Sequence, residues 1–549
     1  MARRILVIGY DGGTLEILRP LVAAGVLPTF ARLMEEGCHG RLRSVYPPVS
    51  STAWASFMTG KNPGKHGVFN FNVKTHGTYY TEPTVSTSVD SVTLWEILSA
   101  EGKKVAVLNV PQTYPPARVN GIMMSGLGTP DTTYDFTYPV GLAGELKREI
   151  PDYKIDVPWT RYDDEEVGAF LNDLTDLTRK TFEAAKYCMK KEAWDFFMVV
   201  FTGPDRIQHR LWHSIAAAAR HVAKGAEGLD EPGRGIVAYF SFLDGLIGRL
   251  IEDFGEDATV FVLSDHGFGP FHCDIDLNNW LAAEGYLRYA SKEAGLATRA
   301  LRVLKKTAKR LGVTRDLVLE RVGQKGPVYK LLEQSSRVIQ SIDWGRTKAF
   351  CYSSHGIYLN VKGRERLGIV EPGAEYEALR DEIIGRLCAL KEPSTGVTVI
   401  RKVDRREDIY QGRNLEKAPD LMITEYGDAG YIGLERLSHR EEDGRVFVKT
   451  AEVQQGVHRL DGFFMAHGKE IEKGTCLEDA SLMDFLPTIL CLLGIRIPED
   501  VDGKMLGAVK GSAAAALFTG KEYAFERDHD VTKAEKEKML KRLKDLGYL

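Results

Sequence analysis

Carboxylates and imidazoles recur at short spacing in this chain, each time beside an apolar run. Ser264-Asp265-His266-Gly267 follows the stretch 258–263, and Pro204-Asp205-Arg206-Ile207-Gln208-His209 follows the stretch 196–201. Gly456-Val457-His458-Arg459 stands just before a third, 463–466. Carboxylate oxygens and imidazole nitrogens together form the donor set of divalent-metal sites, zinc in particular. Asp265 and His266 alone are equally compatible with a capped strand that turns at Gly267. Asp205 and His209 are four residues apart, so one helical turn after Pro204 puts both on one face, where a metal can bridge them. Alone, such a pair is more often a surface ion pair.

Other segments add to these. In Gly9-Tyr10-Asp11-Gly12-Gly13 the glycines do not follow the G-x-G-x-x-G dinucleotide pattern, and a carboxylate inside the turn repels a pyrophosphate. Asp11 therefore suits a cation, or the cap of the next helix. Ser50, Ser51 and Thr52 follow Pro47-Pro48 and precede a short apolar helix. A hydroxyl at a helix N-terminus, where N–H groups and the dipole hold a phosphate oxygen, suits a nucleophile; N-capping is the commoner use of such residues. Gly60-Lys61-Asn62-Pro63-Gly64-Lys65-His66-Gly67 is not a phosphate-binding P-loop, because its first glycine is one residue too near Gly64-Lys65 and His66 replaces Ser or Thr. Asn70 and Asn72 can donate an amide to a bound oxyanion or hold their own loop. His355 reads as an ordinary loop histidine, with a place along a substrate cleft as the alternative.

These residues need elements to hold them together. Apolar runs at 5–8, 104–110, 196–201 and 258–263 read as buried strands, with helices at 91–100, 166–191 and 236–251 between them. That rhythm predicts an α/β fold with a mostly parallel sheet flanked by helices and a site at the carboxyl ends of the strands. Beyond Pro270 the rhythm breaks. A helix at 277–287 and a basic amphipathic stretch at 296–311 predict a helical insertion whose charge is a solvated face or meets an anionic partner. Strands at 348–352, 356–361, 397–403 and 420–424 with a helix at 376–390 predict a smaller α+β cap subdomain. Residues 482–493 read as a packed helix and 533–549 as a surface-packed one, whereas 120–159 is turn-rich and yields no element.

The 549 residues, 44% of them hydrophobic, are ample for a large buried core. A net charge of -4 with both signs interspersed gives no reason to expect a nucleic-acid polymer as partner. Seven cysteines, an odd number without a C-x-x-C pair, argue against a disulfide framework and for a reducing compartment, with Cys188 and Cys491 read as core packing. The four apolar residues after Arg3-Arg4 are too few for a signal peptide, and no run is long enough for a transmembrane segment. A cytoplasmic protein is expected; its oligomeric state leaves no signal in the sequence.

Taken in order, the segments resemble the alkaline phosphatase superfamily, most closely its type I phosphodiesterase/nucleotide pyrophosphatase family. The order is Asp11 after the first strand, the hydroxyl cluster before T-G-K-N-P-G-K-H-G, then P-D-R-I-Q-H, S-D-H-G and G-V-H-R. The resemblance implies an alkaline-phosphatase-like core at 1–275 and 436–510, a helical insertion at 276–345, the cap at 346–435 and a C-terminal helical tail at 511–549. It implies one metal held by Asp205, His209 and His458, and another by Asp11, Asp265, His266 and the nucleophile's oxygen. Both would be divalent, zinc with manganese as the alternative. The family's nucleophile stands ten residues before the glycine of T-G, which gives Ser50, with Ser51 and Thr52 as alternatives. The family's phosphate-contacting asparagine aligns near Phe71, so the flanking Asn70 and Asn72 are the candidate substrate contacts. The implied activity is metal-dependent hydrolysis of phosphodiester or pyrophosphate bonds in a nucleotide or related small-molecule phosphate ester, through a covalent phosphoseryl intermediate. A phosphomonoesterase or phosphomutase on the same scaffold and a non-catalytic metal- or phosphate-binding module are the alternatives. A sulfatase is not expected, because Ser50-Ser51-Thr52-Ala53-Trp54 lacks the cysteine and arginine of C-x-P/A-x-R.

Overall fold

Ile5 to Ile8 open the first strand, β1 (Ile5–Tyr10), and every residue of it is buried. Side chains alternate across a strand, so Ile5 and Val7 enter one apolar layer with Trp54, Phe57 and Phe485, while Leu6 and Ile8 enter another with Phe240, Leu243 and Ile247. Each such aliphatic side chain contributes about 1.5–3 kcal/mol by leaving water. A strand apolar on both faces belongs inside a sheet covered on both sides. β1 is indeed the middle strand of nine.

The others are β2 (Cys38–Arg43), β3 (Val105–Val110), β4 (Gly121–Ser125), β5 (Thr137–Tyr138), β6 (Phe196–Phe201), β7 (Thr259–Leu263), β8 (Asp461–His467) and β9 (Thr475–Ser481). Their spatial order is β9-β2-β8-β7-β1-β6-β3-β4-β5. β1 runs parallel to β6 and β7, β3 to β6 and β4, and β2 to β9. Only β8, between β2 and β7, and the edge strand β5 run antiparallel to their neighbours. One face is covered by α1 (Leu15–Ala23), α2 (Pro28–Glu36) and three long helices. The opposite face carries α3 (Ser50–Thr59). The long helices are α4 (Val167–Met189), α5 (Gly203–Ala223) and α6 (Glu231–Phe254). The expected α/β fold, a mostly parallel sheet flanked by helices, is what forms.

The computed structural model describes residues 3–75, 77–225, 228–290, 342–427, 430–433, 444–448, 453–511, 517–523 and 531–548. The expected basic stretch at 296–311, with Arg299, Arg302, Lys305, Lys306, Lys309 and Arg310, lies outside these residues. The turn-rich segment does contain elements: β4, β5 and a helix at Gly141–Glu149. Beyond Pro270, the strands Ala349–Cys351, Gly356–Leu359, Leu421–Tyr426 and Ile400–Arg405 form an antiparallel sheet in that order. It has its own apolar cluster, in which Phe350, Ile357 and Ile423 pack with Ile383 of α7 (Ala374–Cys388). Further on, α8 (Phe485–Leu492) covers the same sheet face as α3, and α9 (Lys533–Asp545) buries Met539 and Leu543. Among the described residues, no single helix is long and apolar enough to cross a membrane.

Candidate metal centre

β6, β1 and β7 are adjacent, parallel and end together, with Tyr10 opposite Phe201 and Gly9 opposite Leu263. The next residues of all three strands therefore emerge at one edge of the sheet, where open α/β sheets bind ligands. Those residues are Asp11, the Thr202 turn into α5, and Ser264-Asp265-His266. Gly12 makes the exit from β1 possible: its φ is +68°, and its N–H donates to Asp265 Oδ1 at 3.1 Å. α5 begins at once, with Pro204 in its first turn, and carries Asp205 and His209 on one buried face. His458 comes from far along the chain. The strand Gly456–Arg459 pairs antiparallel with Gly267–Pro270, setting His458 opposite Phe268.

All seven predicted metal-site residues come together. Asp205 Oδ1 is 3.1 Å from His458 Nε2, 3.5 Å from His209 Nε2 and 3.9 Å from His266 Nε2. His266 Nε2 is 3.4 Å from Asp265 Oδ2, 3.8 Å from Asp11 Oδ1 and 3.2 Å from Ser50 Oγ. Ser50 Oγ is in turn 3.5 Å from Asp11 Oδ1. Asp205 with His266 and His458, and Asp11 with Asp265 and His266, each bring their ligand atoms within 4.8 Å of one another. His266 thus stands between two sets.

Backbone carbonyls fix the imidazoles. Nδ1 of His209 faces the Gly456 carbonyl at 3.1 Å, that of His458 the Pro48 carbonyl at 3.0 Å, and that of His266 the Gly267 carbonyl at 3.1 Å. A carbonyl only accepts, so each Nδ1 carries the proton and each Nε2 turns a bare lone pair into the cluster. His209 and His458 consequently oppose two acceptors at 3.0 Å, with Asp205 Oδ1 beside them. Burial pushes His209 down to about 3 and His266 well below the usual imidazole range.

The carboxylates are equally frustrated. Burial, with the Asp265 and Asp205 charges behind it, raises Asp11 well above the carboxylate range. Burial and then Asp205 raise Asp265 to about 7, although the Gly12 N–H opposes the shift. Asp265 Oδ2 is buried without a hydrogen-bond partner. Asp205 goes the other way: burial opposes its charge, but His209, Arg206 and His458 hold it well below the usual range, and Arg206 is the permanent charge among them. Three carboxylates, three bare imidazole nitrogens and an orphaned oxygen in one buried cluster fit divalent metal.

Ser50 is the first residue of α3, and one turn further Trp54 Nε1 donates to Asp11 Oδ2 at 3.3 Å. Ser51 Oγ and Thr52 Oγ1 are buried without hydrogen-bond partners, so of the three hydroxyls it is Ser50 that reaches the carboxylates. The T-G-K-N-P-G-K-H-G segment braces α3 from behind. His66 Nε2 lies 2.9 Å from Ser56 Oγ, and Lys61 and Lys65 pair with Asp500 and Asp502, which agrees with rejection of a P-loop. Asn70 turns its Oδ1 to the Phe71 N–H at 2.6 Å. Asn72 Oδ1 is buried without a hydrogen-bond partner, and both asparagines line a small cavity with Lys74, Tyr352, Tyr358 and Met422. His355 stands in the loop between the strands Ala349–Cys351 and Gly356–Leu359. It is buried there, with Nδ1 2.6 Å from Ser354 Oγ, and burial pushes it down to about 3.

Sequence reasoning passed over the supports of Asp205. Arg206 is fully buried; its Nε and Nη2 donate to the two oxygens of Asp156 at 2.8 and 2.6 Å, and Nη1 reaches Asp205 Oδ2 and the Tyr548 hydroxyl. Adjacency to Asp205 was the available signal for Arg206; Tyr548 carried none.

A parallel sheet whose strand ends gather carboxylates and imidazoles around a helix-terminal serine defines an alkaline-phosphatase-like protein. Residues 5–446 match the type I phosphodiesterase / nucleotide pyrophosphatase family, and the chain belongs to it. It is thereby a phosphohydrolase of the phosphodiesterase/pyrophosphatase type. No curated protein matches the chain. Phosphonoacetate hydrolase from Sinorhizobium meliloti 1021, in complex with phosphonoformate, shares the fold at a TM-score of 0.51 and 13% identity, over 90% of this chain and 96% of that one. Inactive murine ectonucleotide pyrophosphatase / phosphodiesterase 5 in complex with AMP is similar at a TM-score of 0.47 and 13% identity, over 90% of this chain and 95% of that one.

Proposed function

We propose that this protein is a two-metal phosphohydrolase that cleaves phosphodiester or pyrophosphate bonds in a nucleotide or related small phosphate ester, with Ser50 as nucleophile. The observation that carries this reading is the 3.0 Å opposition of His209 and His458 beside Asp205, adjoining a second acceptor set that Ser50 Oγ reaches. Asp205, His209 and His458 would hold one cation, and Asp11, Asp265, His266 and Ser50 Oγ the other, with zinc suited to the mixed donors and manganese the alternative. When bound, such a pair of cations neutralises phosphoryl charge, makes a serine hydroxyl ionisable near neutrality and stabilises the leaving oxygen.

Ser50 Oγ is the attacking atom. An Oγ–P bond forms as the bond from phosphorus to the leaving oxygen breaks; the Ser50 proton ends on the first product, and the phosphoryl group, still carrying its other substituent, stays on Ser50. The first N–H groups of α3 face the phosphoryl oxygens and orient them for in-line displacement. Water then attacks phosphorus, the Oγ–P bond breaks, and Ser50 regains its proton in a ping-pong cycle. Asn70 and Asn72 are the proposed substrate contacts on the cap side, each through its side-chain amide N–H groups, the donors that a phosphoryl oxygen accepts from. The odd number of cysteines and the absence of a C-x-x-C pair support a reducing, cytoplasmic setting.

The test is hydrolysis of chromogenic phosphodiesters and phosphomonoesters by metal-stripped protein, before and after zinc or manganese is added, beside Ser50→Ala. Metal-dependent and Ser50-dependent diester cleavage is the expected result. Monoester preference would move the protein to the phosphatases or mutases, and absence of turnover with either metal would leave a binding module.

A further inference from the structure

The two carboxylate oxygens of Asp205 keep different company. Oδ1 faces the imidazoles of His458, His209 and His266, whereas Oδ2 faces away, bonded by Arg206 Nη1 and by the Tyr548 hydroxyl at 3.3 Å. The Tyr548 hydroxyl also accepts from Arg206 Nη1 at 2.6 Å. Its ring is buried, 4.5 Å from the Phe71 ring, with the Arg206 guanidinium 5.3 Å from its centre. Arg206 cannot swing away from this arrangement, because Asp156 holds the rest of the guanidinium through both carboxylate oxygens.

Tyr548 belongs to the segment that follows α9, and that segment touches the same site a second time. Trp159 Nε1 donates to the Leu546 carbonyl at 3.0 Å, and the Trp159 indole stacks on the His209 imidazole with centroids 5.1 Å apart and planes at 10°. Arg161 and Thr160 pair with the side chain and carbonyl of Asp545, locking the two segments together. One stretch of chain thus bears on Asp205 directly and on His209 through Trp159. Those are two of the three residues that the proposed function assigns to one cation. The carboxylates of the other set are held differently, Asp11 by Trp54 and Asp265 by the Gly12 N–H.

We infer that Tyr548 is a positioning residue for the Asp205/His209/His458 cation site: by holding Oδ2 it presents Asp205 as a one-oxygen ligand, and it links seating of residues 531–548 to filling of that site alone. The inference rests on the two-metal reading. Hydrogen bonds behind a ligand fix its orientation, and their loss lowers metal affinity by about 10–100-fold.

The experiment is zinc titration of metal-stripped protein against a competing chromophoric chelator, for wild type and Tyr548→Phe, with thermal melting as the check on folding. Phe keeps the ring packed on Phe71 and removes only the hydroxyl, so the fold is retained. Wild type is expected to bind two zinc ions, and Tyr548→Phe to bind one of them unchanged and the other about 10–100-fold more weakly. In an Asp265→Asn background the hydroxyl deletion weakens the remaining ion; in a His458→Ala background it leaves the remaining ion unchanged. Equal affinities in wild type and Tyr548→Phe, or equal loss at both sites, overturn the inference while leaving the two-metal reading standing. Wild type that binds neither zinc nor manganese overturns both.

Discussion

Asp265→Asn is expected to stabilise the metal-free protein while weakening its hold on metal. The Asp265 carboxyl is raised from 3.8 to about 7, by burial first and by the Asp205 charge after it. A carboxyl whose folded value lies above its unfolded value favours the folded state in acid, and that advantage is lost as pH rises through the folded value. A shift of roughly 3 units corresponds to a loss of roughly 4 kcal/mol between about pH 4 and about pH 7. Asparagine carries no charge to desolvate. Its Oδ1 keeps the Gly12 N–H bond, and its Nδ2 stands where Oδ2 has no partner, 3.4 Å from the bare Nε2 of His266, to which it can donate. Urea denaturation of chelator-treated protein, followed by tryptophan fluorescence from about pH 4 to about pH 9, measures the difference. The variant should be the more stable above about pH 7, by up to roughly 4 kcal/mol, with the two curves converging toward about pH 4. Added zinc should stabilise wild type more than the variant. A variant no more stable than wild type at about pH 8, or a gap that does not change with pH, would refute the account of the cluster as frustrated without cations.

Ser50→Ala removes a small buried hydroxyl and should leave the melting temperature within a few degrees, yet lower kcat for diester hydrolysis by about a thousandfold or more, with no labelled phosphate trapped on the protein. Arg206→Met keeps the length of the side chain but leaves Asp156 and Asp205 as uncompensated buried charges, and denaturation should show a loss of about 3–5 kcal/mol. In Gly9→Ala the new Cβ would stand 2.7 Å from both Trp54 Cη2 and Val200 Cγ2. Overpacking of that kind costs about 1–3 kcal/mol, and a shifted Trp54 should also weaken zinc binding through Asp11, which chelator competition detects.

The sequence reveals this site where chemistry and local structure coincide. β1, β6 and β7 are short apolar runs, and each is followed within a few residues by a member of the cluster, Asp11, Asp205 and Asp265 in turn, so strand, exit and ligand are read from one window. His458 is legible for a similar reason, since Gly456-Val457-His458-Arg459 adjoins β8. What depends on distant partners is not legible. Tyr548 is an aromatic beside a charged helix until α9 docks, and Trp159 is one more apolar residue in a turn-rich stretch. β4 and β5 were missed because they are short and lie between Pro and Gly turns, and the pairing of β4 with β3 and of β5 with β4 supplies what their own pattern lacks. His355 does stand in a loop, but its burial there is set by distant partners and not by its neighbours in sequence.

The ribbon that brings His458 opposite Phe268 also fixes an order of events during synthesis. Asp11, Ser50, Asp265 and His266 have all been synthesised once the strand at Gly267–Pro270 is made, but the partner strand Gly456–Arg459 follows nearly two hundred residues later. Phe271 and Gln455, the two ends of the intervening stretch, close on each other through a 2.8 Å backbone hydrogen bond, so the whole cap is a detour between two halves of one ribbon. A nascent chain can therefore complete the Asp11/Asp265/His266 set while Asp205 and His209 still wait for His458. The two halves of the centre are separated in time by translation of the cap, and a stall within that detour would leave a protein with one half formed and the other open.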